Sequence, residues 1–374
     1  MLEERDPSEL GFSRERLEKA LDMICSYSLK EMIPGIEVLV ARHGYVAAHR
    51  VCGWAQIKPI RRILAENMLF DLASLTKPLA GATVIGYLVS EGMISLKQRV
   101  SEILPSFSRT SAGVNELKDR VRIWMLLSHS SGLPAWQPFY RSARSREEVF
   151  EEALRVFPSY NPGESALYSD IGYIILAKIA EEVSGERFDS LFEKIIVRRL
   201  GLRFTLYNPL ERNIDSSMIV STEVLESGVA LTGVVHDENA RAMNGVSAHA
   251  GLFSTARETA SIVSEIMRSY RFESDLLLPP TYTRVMLDKW ICGDRCYGLG
   301  WWIYDRRNIE SGGDLISRGF GHTGFTGTSV WADLDYDLVI VLFTNRVHPS
   351  RENRYIDQLR ARAHNMILAS LVKL

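Results

Sequence analysis

Ser74-Leu75-Thr76-Lys77 stands directly before Pro78 to Ser90, a stretch in which Leu79, Ala80, Gly81, Ala82, Val84, Ile85, Gly86, Leu88 and Val89 are all apolar or small. A helix apolar on every side is a buried one, and Glu91-Gly92 ends this run. Residues three apart share a helix face, so Lys77 can lie beside Ser74. A serine hydroxyl is a weak nucleophile near neutral pH and needs a neighbouring base. Pro78 falls in the first turn, where its missing N–H is not needed. Ser74 is therefore expected at the head of a buried helix, where free N–H groups and the positive dipole end favour developing negative charge. The spacing alone is a weak signal, expected about once or twice by chance in a chain of this length. Ser370-Leu371-Val372-Lys373 repeats it near the C-terminus. The plain alternative is that Ser74 only caps its helix, with Lys77 a solvated charge.

Upstream, Ser13 precedes Leu17, Ala20, Leu21 and Ile24, the spacing of an amphipathic helix with Ser13 as its N-cap. Two β-rich runs, Ile36–Arg42 and Tyr45–Val51, flank His43-Gly44 and read as a hairpin. Downstream, helical spacing dominates from Leu96 to Leu200, and strand signals are few before about Tyr207. A helix over the segment with Ile262, Val263, Ile266 and Met267 is followed by two strand-like runs, Gly327–Asp333 and Leu338–Thr344, and by a helical C-terminal stretch from Tyr355 to Leu374. Strands at both ends with helices between them predict an α/β (α+β) architecture. Residues 1–90 and 245–374 would form one domain built from both termini, and 91–244 a mostly helical insert. No fixed-period repeat is present.

The 374 residues are 46% hydrophobic and 24% charged, the balance of a globular chain with a large core. A formal charge of -2 supplies no basic field, which argues against nucleic acid and acidic lipid as partners. No apolar run is long enough to span a bilayer, and the acidic start Met1-Leu2-Glu3-Glu4-Arg5-Asp6 is not a signal peptide as written. Cys25, Cys52, Cys292 and Cys296 are too few and scattered for a disulfide framework, so a cytoplasmic protein with free thiols is expected. Cys292 and Cys296 could suggest a metal pair, but no second Cys or His pair follows, and two ordinary thiols are the better reading. No metal and no cofactor are expected. Gly319-Phe-Gly321-His-Thr-Gly324 matches G-x-G-x-x-G, yet a strand pattern follows it instead of a helix. There is no G-x-S-x-G elbow and no H-E-x-x-H.

Two further stretches change the weight of Ser74-x-x-Lys77. One is Asn161-Pro-Gly-Glu-Ser-Ala-Leu-Tyr168-Ser169-Asp170-Ile-Gly-Tyr173, and the other is Gly321-His322-Thr323-Gly324. Their order and spacing resemble the serine β-lactamase and penicillin-binding-protein superfamily, in its class C-like, peptidase S12 branch. That branch carries Ser-x-x-Lys, then Tyr-x-Asn, then Lys-Thr-Gly or His-Thr-Gly. Leu126-Leu-Ser-His-Ser-Ser-Gly-Leu-Pro134, Tyr297-Gly-Leu-Gly-Trp301 and the stretch around His249 are similar to it as well, so the likeness runs from about Pro34 to Asn345.

The resemblance implies an antiparallel sheet flanked by helices, with an inserted helical domain. It implies Ser74 as the nucleophile of an acyl-enzyme, Lys77 and Tyr168 sharing base and acid work, and the N–H groups of Ser74 and Phe325 as the oxyanion hole. Asp170, His322, Thr323 and Gly324 would line the substrate site. Asp170 departs from the usual Asn; facing Lys77 as an anion it would favour the charged, non-basic lysine and throw more of the base role onto Tyr168. Aligning Ser169-Asp170-Ile171 with the class A Ser-Asp-Asn fails at the third residue. His322 departs from Lys and supplies less fixed positive charge for a substrate carboxylate.

The expected function is thus a metal-free serine hydrolase. Carboxylesterase-like activity ranks first, D-amino-acid peptide hydrolysis (including D,D-carboxypeptidase action) second and β-lactam turnover third. A small ester, amide or short D-amino-acid peptide is the expected partner, with no nucleic acid and no membrane. The competing class is a non-catalytic penicillin- or muropeptide-binding module, which Asp170 keeps in play.

Overall fold

The computed structural model describes residues 2–111, 113–293, 295–306 and 312–373. Its main elements, in chain order, are α1 (Arg14–Leu29), β1 (Gly35–Arg42), β2 (Tyr45–Gln56), α2 (Thr83–Ser90), α3 (Asp170–Ser184), α4 (Ala256–Tyr270), β3 (Gly319–Thr323), β4 (Ser329–Asp333), β5 (Leu338–Thr344) and α5 (Tyr355–Leu368). Helix α1 starts where expected: the Ser13 side chain accepts the Arg16 N–H, and Leu17, Ala20, Leu21 and Ile24 form the buried face. The β1–β2 hairpin turns through His43 and Gly44, both at positive φ, +52° and +76°. That is the backbone twist a two-residue hairpin loop requires.

The sheet runs β2-β1-β5-β4-β3, with Ile36 opposite Thr344 where the two ends of the chain meet. All five strands pair antiparallel with their neighbours. The sheet as a whole is mixed, however, because Glu3–Glu4 joins its β2 edge in parallel with Tyr45–Val46. Side chains of a strand alternate between faces, and β1 divides itself accordingly. Val38 and Val40 join the core under α1 and α5, with Leu342, Ile24 and Leu359. Leu39 and Ala41 join the core on the opposite side, with Val341, Ile262 and Ile266 of α4. All eight β1 residues are buried because both faces are covered. The second core continues without a break into the helices of the middle of the chain, including Ile174, Ile175 and Ile179 of α3.

The cysteines depart from expectation: none of the four is a free thiol. Cys25 of α1 is bonded to Cys52 of β2. Cys292 and Cys296 are bonded to each other, directly opposite on two short antiparallel strands at the sheet edge. The first pair exists because α1 packs across β2, a relation that the separation of the cysteines along the chain conceals. The duplicate Ser-x-x-Lys also resolves. Ser370 follows the end of α5, its hydroxyl donates to Ile367 O, and its carbonyl accepts the Ser13 N–H. The C-terminal helix closes at Leu368, and Leu374 lies outside the described residues. Among the described residues no helix is long and apolar enough to cross a membrane.

Candidate active site

The segment carrying Ser74 is not one regular helix. Ala73–Leu75 form a tight 3-10 turn, Lys77–Ala82 a wider π-helical turn, and only then does α2 begin. Pro78, lacking an N–H, sits in the irregular part. π-turns of this kind recur at functional sites. Just before Ser74, Ala73 has φ +46°, an uncommon conformation for a residue with a Cβ. Asp71 secures it, accepting the Ala73 N–H on one carboxylate oxygen (2.9 Å) and the His236 N–H on the other (2.6 Å). Burial pushes the Asp71 carboxyl up to about 6, against the lowering pull of those N–H donors.

A raised carboxyl pKa means that the folded state holds this proton more tightly than the unfolded chain does. Its contribution to stability is complete below about 4 and is lost as pH rises through about 6, a change of about 3 kcal/mol. Asp71→Asn should abolish that slope. It should also cost about 1–3 kcal/mol at acid pH, because the amide can accept on one side only and leaves a backbone N–H facing its NH2 group. Thermal melts from pH 4 to 8 measure both, and equal slopes in the two proteins would contradict the assignment.

Ser74 is partly exposed, while Lys77 is fully buried. Lys77 Nζ donates to Ser74 Oγ at 3.1 Å and to the His249 carbonyl at 3.1 Å, and lies 2.6 Å from Asp170 Oδ1. The last contact is a close ion pair whose angles are not those of an aligned hydrogen bond. Burial pulls the Lys77 pKa down, but the Asp170 carboxylate, followed by Tyr168, more than offsets it, and the net displacement is upward. Asp170 reaches Lys77 because Ser169 caps α3, its hydroxyl accepting the Gly172 N–H and donating to Pro134 O. Asp170 is therefore the first residue of that helix.

Tyr168 precedes this cap, with its ring 4.8 Å from Lys77 Nζ and packed on His129 at 4.6 Å between ring centres. Its hydroxyl has no aligned hydrogen bond among the described residues, although Lys77 and Ser74 both act on it electrostatically. Burial raises its pKa, and Asp170 adds to that, while Lys77 opposes it. His129 holds the loop in register: its Nδ1 accepts the Ser169 N–H at 3.0 Å, which leaves the proton on Nε2.

The third motif closes the site from β3. His322 is fully buried behind Tyr168 and Trp302, 5.8 and 4.5 Å away between ring centres, so its ring does not face solvent. Its Nδ1 donates to Thr323 O at 2.8 Å. Burial, followed by Lys77, drives its pKa well below the ordinary value, so the ring is neutral. Thr323 ends β3. The turn after it is stitched to the turn before Ser74: Thr326 Oγ1 donates to Asp71 O at 2.7 Å and Thr328 Oγ1 to Leu72 O at 3.0 Å. Gly324 must be glycine for this approach, since a Cβ there would sit 2.3 Å from Leu72 O. The Gly324 N–H is used by Thr328 O, whereas the Phe325 N–H makes no hydrogen bond among the described residues. The Phe325 side chain is half exposed and stacks on His236 at 5.6 Å.

Several contributors carry no signal strong enough to single them out in the sequence. His249 acts through its backbone carbonyl. Its ring is held between Ser247 Oγ (2.7 Å) and Asp237 Oδ1 (2.9 Å), a buried chain that aims that carbonyl at Lys77. Trp302 and Asp71 belong to short strands. His129, within Leu126–Pro134, and His249, whose stretch also carries the resemblance, are the two that the sequence could have flagged. Among the described residues no group of three or more His, Cys, Asp or Glu is placed to hold a metal ion. A hydroxyl beside a buried lysine, with a tyrosine and the unbonded Phe325 N–H at hand, is a set suited to acyl transfer.

Comparison with known proteins agrees. A β-lactamase family model matches residues 15–365. An N-acetylmuramyl-L-alanine amidase of Bacillus subtilis (strain 168) is 31% identical, over 90% of this chain and 82% of its own. A protein of Escherichia coli (strain K12) named "Putative D-alanyl-D-alanine carboxypeptidase" is 30% identical, over 93% of this chain and 86% of its own. The solved structure of EstCE1, a hydrolase with promiscuous acyltransferase activity, superimposes with a TM-score of 0.75 at 20% identity, covering 95% of this chain and 99% of that one. The chain belongs to the β-lactamase family and is a serine hydrolase.

Proposed function

We propose that this hydrolase cleaves a small amide through an acyl-enzyme on Ser74, with peptides and amides of the bacterial cell wall as its substrate class. The observation that carries the reading is the 3.1 Å contact between Ser74 Oγ and the fully buried Lys77. In this reading Ser74 attacks the carbonyl carbon, and Lys77 and Tyr168 move its proton. The N–H groups of Ser74 and Phe325 receive the oxyanion. Asp170, Thr323 and Gly324 border the substrate, with neutral His322 supporting them from behind. Residues 91–244 act as a helical insert bringing Tyr168 and Asp170 to the site, while 1–90 and 245–374 bring Ser74, Lys77 and the third motif.

The names of the two relatives near 30% identity support amides over esters. The EstCE1 structure, at 20% identity, speaks to fold alone. Carboxylesterase action, first in the expectation from sequence, therefore takes second place. Two disulfides support an oxidising compartment in place of the cytoplasm.

The test is direct. Intact mass after fluorophosphonate treatment should show one adduct, absent in Ser74→Ala. N-acetylmuramyl-L-alanine, D-Ala-D-Ala peptides, p-nitrophenyl esters and nitrocefin should then be compared under one condition. Product release from the wall-type amides supports the proposal, and turnover confined to the esters overturns the substrate class.

A further inference from the structure

Lys77 is surrounded by acceptors. The His249 carbonyl can only accept, and it takes one N–H at 3.1 Å. The Asp170 carboxylate stands 2.6 Å from Nζ and Ser74 Oγ stands at 3.1 Å. Two of the ammonium protons are directed at the His249 carbonyl and Ser74 Oγ, and with a carboxylate 2.6 Å away the charged form is favoured. The resting lysine is then a donor to Ser74, the wrong polarity for a base. Tyr168 does not supply the base either, since its hydroxyl is buried and neutral at ordinary pH.

We infer that Asp170 is the proton acceptor of the acylation step, acting through Lys77, so that Ser74, Lys77 and Asp170 form a continuous relay. The inference rests on the acyl-enzyme reading above. Lys77 first passes a proton across the 2.6 Å contact to Asp170 Oδ1, which leaves a neutral amine that turns about its Cε–Nζ bond; as Ser74 Oγ bonds to the carbonyl carbon, its proton passes to the lone pair so freed. The carbonyl π electrons become the oxyanion, Lys77 is cationic again and Asp170 is neutral. When the intermediate collapses, the bond to the leaving nitrogen or oxygen breaks with its electron pair. The Tyr168 hydroxyl gives its proton to that atom and is recharged through Lys77 from Asp170, restoring the carboxylate. Water repeats the sequence in deacylation. No proton is stranded, because each one taken up by Asp170 is returned when the leaving group departs.

Other titratable groups face this pair without replacing Asp170. Tyr173 is buried with its hydroxyl donated to Leu127 O. His129 accepts the Ser169 N–H, and His322 is closed off behind Tyr168. Asp237 is bound to the His249 ring and meets Lys77 only across that residue. Arg295 acts on the two histidines from the edge hairpin, adding positive potential and no acceptor. Among the described residues Asp170 is the one carboxylate paired with Lys77.

The decisive variant is Asp170→Asn, which keeps shape and removes the acceptor. The profile of kcat/KM against pH should lose at least about 100-fold near pH 6, and its acid limb should move up by two units or more. The reason is that Lys77, left to burial alone, must shed its own proton. KM should change little, and Asp170→Glu should return the limb toward its original place. An unchanged limb with kcat/KM within threefold of wild type overturns the inference and returns Asp170 to a substrate-binding role. Melting temperature and fluorophosphonate labelling at pH 9 guard against misfolding. A folded, labelled but slow Asp170→Asn supports the relay. If Asp170→Asn does not fold, Asp170→Ser decides in its place, since an acid limb left unmoved at wild-type rate in a variant without the carboxylate also overturns the relay. Loss of labelling in wild type sinks the Ser74 reading instead.

Discussion

Replacing Ser74 with alanine is expected to lower kcat/KM by about 10⁴- to 10⁶-fold, with no fluorophosphonate adduct remaining. At about 1.4 kcal/mol per factor of ten, that is roughly 6–8 kcal/mol of transition-state stabilisation. The effect is large because Oγ forms the covalent bond in the proposed mechanism, where nothing else in the site substitutes for it. Stability should hardly move. Ser74 is only partly buried, and Lys77 keeps the His249 carbonyl and Asp170 as partners when Oγ is removed. A melting temperature near that of wild type, together with lost turnover, separates a chemical role from a structural one. Turnover that survives the substitution contradicts the mechanism.

Lys77→Met is expected to act on both properties. It removes the link between Ser74 and Asp170, so kcat/KM should fall by about 10³-fold. It also leaves the Asp170 carboxylate beside an apolar side chain in a largely buried place, a loss of about 3–5 kcal/mol for a broken buried pair. The sign of the pH dependence follows from the upward displacement of the Lys77 pKa. The pair's contribution is complete below the ordinary lysine value of 10.5 and is lost only as pH climbs past the raised one. The gap in melting temperature between wild type and variant should therefore be constant from pH 7 to 10 and narrow above that. A gap that closes already near neutral pH would mean that Lys77 is not held charged in the folded protein. Met matches the length and apolar stem of lysine, so little of the loss can be assigned to packing.

The placement of Asp170 bears on how this family member differs from the common pattern. The usual asparagine can donate as well as accept, whereas a carboxylate only accepts. With the carboxylate on one side and the His249 carbonyl on the other, Lys77 is held in place more firmly and kept charged. In the proposed relay, the Asp170 contact that keeps the resting lysine charged also gives it a proton acceptor when Ser74 attacks. The shared fold does not specify which arrangement operates; the site residues do.

The elements carried by short-range patterns were legible in the amino-acid sequence. Continuous β-rich apolar runs marked β1 and β5, the His43-Gly44 turn marked the hairpin, and Ser13 marked the start of α1. Ser74 and Lys77 were legible for the same reason, since three residues of helix-like backbone place them side by side whatever surrounds them. Tyr168, Asp170 and His322 could be named from their motifs, but not where they would stand.

Only the tertiary structure decided that His322 lies behind Tyr168, that a backbone carbonyl of His249 holds Lys77, and that Asp170 meets Lys77 at 2.6 Å. It likewise decided the two disulfides, which the cysteine spacing argued against. These relations join residues far apart in the chain. Their strength comes from burial, which removes the water that would otherwise weaken each contact, and burial belongs to the assembled core and to no single stretch of sequence.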